Sequence, residues 1–186
     1  ERALKIANET GRTLIHPFDD DDVIAGQGTI GLEILNQLSS VDAVIVPVGG
    51  GGLISGIAFA IKSLKPSCKV YGVQAAGAPS MVEALKKGKR EALSNAASLA
   101  DGIAVKMPGE KTFEYCRKYV DEIVTVTDDE IASAILTLME QQKLVSEGAG
   151  ATPVAALLAG KIDIKGKKTV CLISGGNIDV TILSRV

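Results

Sequence analysis

The feature that most constrains this chain is the run Ala43-Val44-Ile45-Val46-Pro47-Val48, which ends in four consecutive glycines, Gly49 to Gly52. Six apolar residues in succession leave no polar face for solvent, so the run reads as a strand covered on both sides, as in a parallel sheet. Helical spacing follows from about Leu53 to Leu64, stops at Pro66, and gives way to a second strand, Lys69-Val70-Tyr71-Gly72-Val73. Residues 43 to 74 therefore form a βαβ unit with a right-handed crossover. The glycines lie between strand and helix at the strand's carboxyl end, where open α/β sheets bind ligands. Residues without Cβ let the chain curl until several N–H groups point at one spot, and the helix dipole adds about half a positive charge there. A phosphate is the natural occupant. A turn alone rarely requires four glycines. A P-loop NTPase is disfavoured, because Gly51 to Gly56 runs into Ile57-Ala58 rather than into Lys and Ser/Thr.

The rest of the chain repeats the alternation. Glu1 to Ala7 has helical rhythm, with Gly11 placed to stop it, and Thr13-Leu14-Ile15 is a short strand candidate. Helices are expected over residues 23 to 38, from Pro79 to Gly88, near 110 to 119, behind Thr127 with Ile131, Ile135, Leu138 and Met139 inward, and between Pro153 and Gly160. Thr127-Asp128-Asp129-Glu130 is a capping box. Ile123 to Val126 and Thr169 to Ile173 are further strands, the last one buried. The fold class is α/β, a largely parallel sheet flanked by helices in three layers.

Composition excludes several functions. With 20 Lys+Arg against 22 Asp+Glu the net charge is −2, so no basic stripe tracks a nucleic acid backbone. No apolar run approaches the roughly 20 residues that cross a bilayer, and no leader opens the chain, so a cytoplasmic protein is expected. Cys68, Cys116 and Cys171 stand far apart and read as reduced thiols. With His16 as the one histidine, a Cys/His zinc site or a Ser-His-Asp triad has too few parts.

Two other glycine segments are informative. Gly26-Gln27-Gly28-Thr29-Ile30-Gly31 matches the dinucleotide pattern GxGxxG, but four aspartates precede it instead of a strand, and Gly51 stands where the ribose acid belongs. It reads as a helix whose small residues allow close packing. Asp19 to Asp22 reads as a solvated loop capping that helix near Val23. Ser174-Gly175-Gly176-Asn177 repeats the strand-end arrangement of Gly49 to Gly52, and the pair suggests one ligand held by two adjacent strand ends.

These motifs, with Ala100-Asp101-Gly102, Glu147-Gly148-Ala149-Gly150-Ala151 and His16-Pro17-Phe18-Asp19 running into Ile24 to Thr29, resemble the threonine ammonia-lyase (threonine dehydratase) family. That is the serine/threonine dehydratase and serine racemase branch of the fold-type II pyridoxal-phosphate enzymes. The resemblance covers essentially the whole chain. It implies pyridoxal 5'-phosphate as cofactor, with its phosphate in the loop Gly49, Gly50, Gly51, Gly52 and Leu53 and its pyridine nitrogen at Ser174. Gly102, Glu147 and Gly175 are placed near the site. The reaction implied is L-threonine to 2-oxobutanoate and ammonia by α,β-elimination, with L-serine as a further substrate, in amino-acid metabolism leading toward isoleucine, by a homo-oligomer. Two alternatives stay open: serine dehydratase or racemase on the same scaffold, and a non-catalytic phosphate- or nucleotide-binding module.

The resemblance also implies what is missing. The family's Schiff-base lysine is expected upstream of Glu1, so no catalytic residue is assigned here and the fragment is expected to be inactive. Residues 1–12 become the cut end of a smaller lobe and 13–186 an incomplete large domain. Gln74 to Ser80, where the racemase branch binds a divalent cation, has no carboxylate, so no metal is expected. A bulkier residue at Gly50 or Gly51 is expected to weaken cofactor binding, its Cβ intruding on the phosphate and restricting φ.

Overall fold

The computed structural model describes residues 2–183. Glu1, where the helical rhythm opens, and residues 184–186 lie outside the described residues. The elements are α1 (Arg2–Thr10), α2 (Asp21–Gln37), β1 (Ala43–Pro47), α3 (Gly52–Leu64), β2 (Lys69–Ala75), α4 (Ser80–Lys87), α5 (Glu110–Tyr119), β3 (Glu122–Val126), α6 (Asp128–Thr137), α7 (Gly148–Leu158), β4 (Thr169–Cys171) and α8 (Val180–Leu183). All strand pairs are parallel, in the order β3-β2-β1-β4.

The apolar run behaves as a doubly covered strand. Every residue of β1 is buried. Val44, Val46 and Val48 join a core with Ile34 of α2, Ile54 and Ile57 of α3 and Phe113 of α5. Ile45, between them in sequence, joins a second core with Ile131 and Ile135 of α6 and Ala151 and Ala155 of α7. Period-two alternation thus divides one strand between two helical layers. The chain leaves β1 toward β2 and β3 and returns to the other side of β1 as β4. The order reverses there, and the carboxyl ends of β1 and β4 flank the reversal.

Local signals are realised closely. Thr127 and Glu130 form the reciprocal capping box, with Glu130 N–H donating to Thr127 Oγ1 at 3.2 Å and Thr127 N–H to Glu130 Oε2 at 2.8 Å. Asp20 caps α2, accepting from the N–H groups of Asp22 and Val23. The GxGxxG segment is a packing helix. A Cβ on Gly28 would lie 3.2 Å from the Gly56 carbonyl, one on Gly31 3.0 Å from the Ile57 carbonyl, and one on Gly56 would collide with the Ile24 carbonyl.

Three expectations are corrected. Thr13-Leu14-Ile15 lies outside the sheet, with Leu14 43% and Ile15 67% exposed, because no strand runs beside it among the described residues. The last strand is not buried: β4 stops at Cys171 and is only half-buried, being an edge strand with β1 as its neighbour. Pro153 does not start its helix but lies inside α7, which begins at Gly148. The Ala149 carbonyl, which a proline nitrogen cannot serve, accepts from Thr152 Oγ1 at 2.9 Å. Among the described residues no helix is long and apolar enough to cross a membrane.

The α2–α3 contact yields a test. Gly26 has open space around its Cβ direction, so Gly26→Ala in the full-length protein should be neutral or stabilising by about 0.5–1 kcal/mol. Gly56→Ala should destabilise by about 1–3 kcal/mol or more, because it overpacks against backbone. Urea unfolding of both variants checks this; equal effects would contradict the packing account.

Candidate functional site

At the carboxyl ends of β1 and β4 lies a cavity of ≈ 520 Å³. Gly49, Gly50, Gly51, Gly52, Leu53, Gly102, Glu147 and Ser174 all line it. Eight of the nine residues singled out from the sequence are therefore brought together. The ninth, Gly175, stands behind Glu147, and a Cβ on it would lie 2.5 Å from Glu147 Oε1.

The glycine loop faces the cavity with its backbone, having no side chains to present. Among the described residues, none of the N–H groups of Gly49, Gly50, Gly51, Gly52 and Leu53 donates a hydrogen bond. The last two open α3, where the first N–H groups of any helix lack intrahelical acceptors. Gly51 caps the helix at φ 99°, a left-handed conformation that favours glycine. Five donors along one stretch, at the positive end of a dipole, form an anion cradle.

The loop is held from outside. Thr112, fully buried on α5, donates from Oγ1 to the Gly50 carbonyl at 2.6 Å, and Gly109 N–H donates to it at 3.3 Å. Asp19 caps α5 across the chain, accepting from the N–H groups of Glu110, Lys111 and Thr112 at 2.9, 2.9 and 3.1 Å. His16 Nδ1 accepts from Asp19 N–H at 2.9 Å, and its ring meets Phe18 edge-on at 4.6 Å. A Cβ on Gly50 or Gly52 would strike Phe18, and one on Gly51 would lie 2.7 Å from Met81 Cε and 2.8 Å from Thr112 Cβ. This corrects the reason expected for the glycines: φ is restricted at Gly51, but the first obstacle to a Cβ is the protein itself.

The opposite wall is built from α7 and the segment after β4. The Gly175 carbonyl accepts from Glu147 N–H at 3.1 Å and from the buried Ser146 hydroxyl at 3.3 Å. Neither the exposed Ser174 hydroxyl nor the Glu147 carboxylate has a hydrogen bond or ion pair among the described residues. Among the described residues Glu147 is the sole charged residue lining the cavity, and no lysine, arginine or histidine lines it. Among the described residues no cysteine lines the cavity; burial pushes Cys116 up to about 12 despite its contact with Ser55, and Cys171 up to about 11.

A family model described as "Pyridoxal-phosphate dependent enzyme" matches residues 1–176. The chain belongs to the pyridoxal-phosphate dependent enzyme family. It is 58% identical over 186 residues to an L-threonine ammonia-lyase of Thermotoga maritima, covering all of this chain and 46% of that protein. A processed threonine deaminase isoform 2 of Solanum lycopersicum superposes with a TM-score of 0.91 at 40% identity, over 98% of this chain and 54% of that one. Maize serine racemase also superposes at 0.91, with 34% identity over 98% of this chain and 56% of that one. The chain spans about half the length of the curated relatives it matches.

The cavity fits the family's cofactor chemically. Five unpartnered N–H donors suit a phosphate dianion, and a neutral hydroxyl across the cavity suits a heteroaromatic nitrogen. What sequence reasoning missed lies behind the loop. Phe18 stands in the sequence only as part of a motif, Asp19 reads as part of the loop that caps α2 but caps α5 instead, and Thr112 carries no signal, since its partner is 62 residues away. Asp19→Ala in the full-length protein should therefore destabilise by about 1–2 kcal/mol, the usual loss of an N-cap. A urea midpoint unchanged from wild type would show that the cap is idle.

Proposed function

We propose that this chain is the cofactor-binding part of a pyridoxal-phosphate-dependent threonine ammonia-lyase, which converts L-threonine to 2-oxobutanoate and ammonia. The observation that carries the reading is the shared cavity: the glycine cradle on one strand end and Ser174 on the neighbouring one line the same space. The 58% identity to a protein named L-threonine ammonia-lyase supports the substrate.

In this reading the N–H groups of Gly49 to Leu53 bind the cofactor phosphate, and Ser174 offers its hydroxyl to the ring nitrogen. Pyridoxal phosphate, when bound, supplies an electron sink that withdraws charge from a substrate's α-carbon. Ser174 would hold the ring nitrogen by a neutral hydroxyl, a donor that keeps its own proton, where a carboxylic acid partner would give its proton up. Phe18, Val105 and Leu172 add apolar wall that limits water. Glu147, with Gly102 beside it, would bring one carboxylate to the cofactor ring. The lysine that anchors the cofactor and moves the α-proton comes from outside the residues described, which is supported by a cavity wall without lysine.

The same reading assigns residues 1–12 to a smaller lobe, supported by α1, in which no residue is buried. Self-association of the whole protein is supported by exposed Leu32, Phe59 and Leu64 on α2 and α3. A sister activity on serine is favoured by one observation, the likeness to maize serine racemase.

Assay of the full-length protein separates these. The expected result is a kcat/KM for L-threonine above those for L-serine and D-serine, with 2-oxobutanoate released. Serine racemisation faster than threonine deamination would favour the sister enzyme, and no turnover would contradict both. Residues 1–186 alone should release no 2-oxobutanoate; turnover by this segment would put the catalytic lysine inside it. Ser174→Ala should lower kcat at least about tenfold, as loss of a cofactor-tuning donor does, and shift the bound cofactor's absorbance.

A further inference from the structure

The four glycines that make the cradle also make it unstable in orientation. A peptide unit flanked by residues without Cβ can rotate between two positions, one presenting its N–H to the cavity and the other its carbonyl oxygen. An oxygen turned inward would repel a phosphate where a donor should hold it. Something must therefore choose the orientation of the Gly50–Gly51 peptide. Planarity makes the choice legible, because the carbonyl of residue 50 and the N–H of residue 51 belong to one trans peptide and point in opposite directions.

The Gly50 carbonyl points away from the cavity, toward α5. It accepts from Thr112 Oγ1 at 2.6 Å and, at a longer 3.3 Å, from Gly109 N–H. The Gly51 N–H consequently faces the other way and has no partner among the described residues. Thr112 cannot relax from this duty. It is fully buried, its own N–H is tied to Asp19 Oδ1 at 3.1 Å, and its carbonyl accepts from the Ser55 hydroxyl at 3.4 Å. Gly51 at φ 99° is the conformation that this orientation demands.

We infer that Thr112 is a positioning residue for the cofactor phosphate: its hydroxyl locks the Gly50–Gly51 peptide with the N–H turned into the cradle. The inference rests on the proposed placement of the phosphate in the glycine loop. It assigns a role to a side chain that does not line the cavity, acting through one backbone carbonyl.

The test compares two ligands that differ only in the phosphate. Dissociation constants of pyridoxal phosphate and of pyridoxal are measured by absorbance titration of the full-length apoprotein, for wild type, Thr112→Val, Thr112→Ala and Thr112→Ser. Valine keeps the shape and removes the hydroxyl, alanine removes both, and serine keeps the hydroxyl. Loss of one buried hydrogen bond should weaken pyridoxal phosphate about ten- to a hundredfold in the valine and alanine variants. Their affinity for pyridoxal should stay within about twofold of wild type, and the serine variant should keep the wild-type ratio. Unchanged pyridoxal binding certifies the fold of each variant, a readout that general destabilisation would move. An unchanged ratio of the two constants in both the valine and alanine variants overturns the inference. A wild-type ratio near one would instead overturn the placement of the phosphate on which it rests.

Discussion

Five consecutive backbone N–H groups left without partners impose the arrangement of everything around them. Water in the cavity can answer such donors until a ligand displaces it, so the stretch depends on surroundings that hold the backbone with its N–H groups turned toward that space. Here the holding is done by parts distant in sequence. Phe18 covers the loop from one side, Thr112 and Gly109 pull on the Gly50 carbonyl, and Asp19 fastens the helix carrying Thr112 to the turn carrying Phe18. Glycines at positions 50 to 52 satisfy two demands at once. They expose backbone to the cavity, and they leave room for the ring and methyl groups pressed against their far side.

The two walls of the cavity draw on separate cores. The glycine loop grows out of the helical layer in which Val44, Val46 and Val48 are packed. Glu147 and the Ser174 segment belong to the layer of Ile45 and α7. Between them lies the reversal in strand order, which is why a space exists there at all. Both walls use the same device, a glycine carbonyl bound from behind. At Gly175 the Ser146 hydroxyl and the Glu147 N–H do what Thr112 and Gly109 do at Gly50. The polar groups lining the cavity are thus the backbone N–H groups of the glycine loop, the Ser174 hydroxyl, the Glu147 carboxylate and the Gln27 amide.

Much of this was legible in the sequence where the signal is local. An unbroken apolar run meant a strand between two layers, Thr127 with Glu130 meant a cap, and four glycines at a strand end meant a loop opening onto the cavity. The order of the motifs along the chain points to the family by itself. Signals that depend on partners were misread or silent. Thr169 to Ile173 is apolar enough for a buried strand, yet its place at the sheet edge leaves it half-buried. Thr13 to Ile15 has strand-forming residues and no strand to pair with among the described residues. Pro153 reads as a helix start unless Thr152 is known to serve the Ala149 carbonyl. Thr112 is one threonine among many until the fold brings it to Gly50.

The central claim is that the N–H groups of Gly49 to Leu53 are the donors to the cofactor phosphate, and amide hydrogen exchange reads those groups directly. Exchange in the full-length protein is compared without cofactor, with pyridoxal and with pyridoxal phosphate. The account predicts fast exchange at residues 49–53 in the first two states and protection of at least about tenfold in the third, as new hydrogen bonds form. Equal exchange at these five amides with pyridoxal and with pyridoxal phosphate would contradict it.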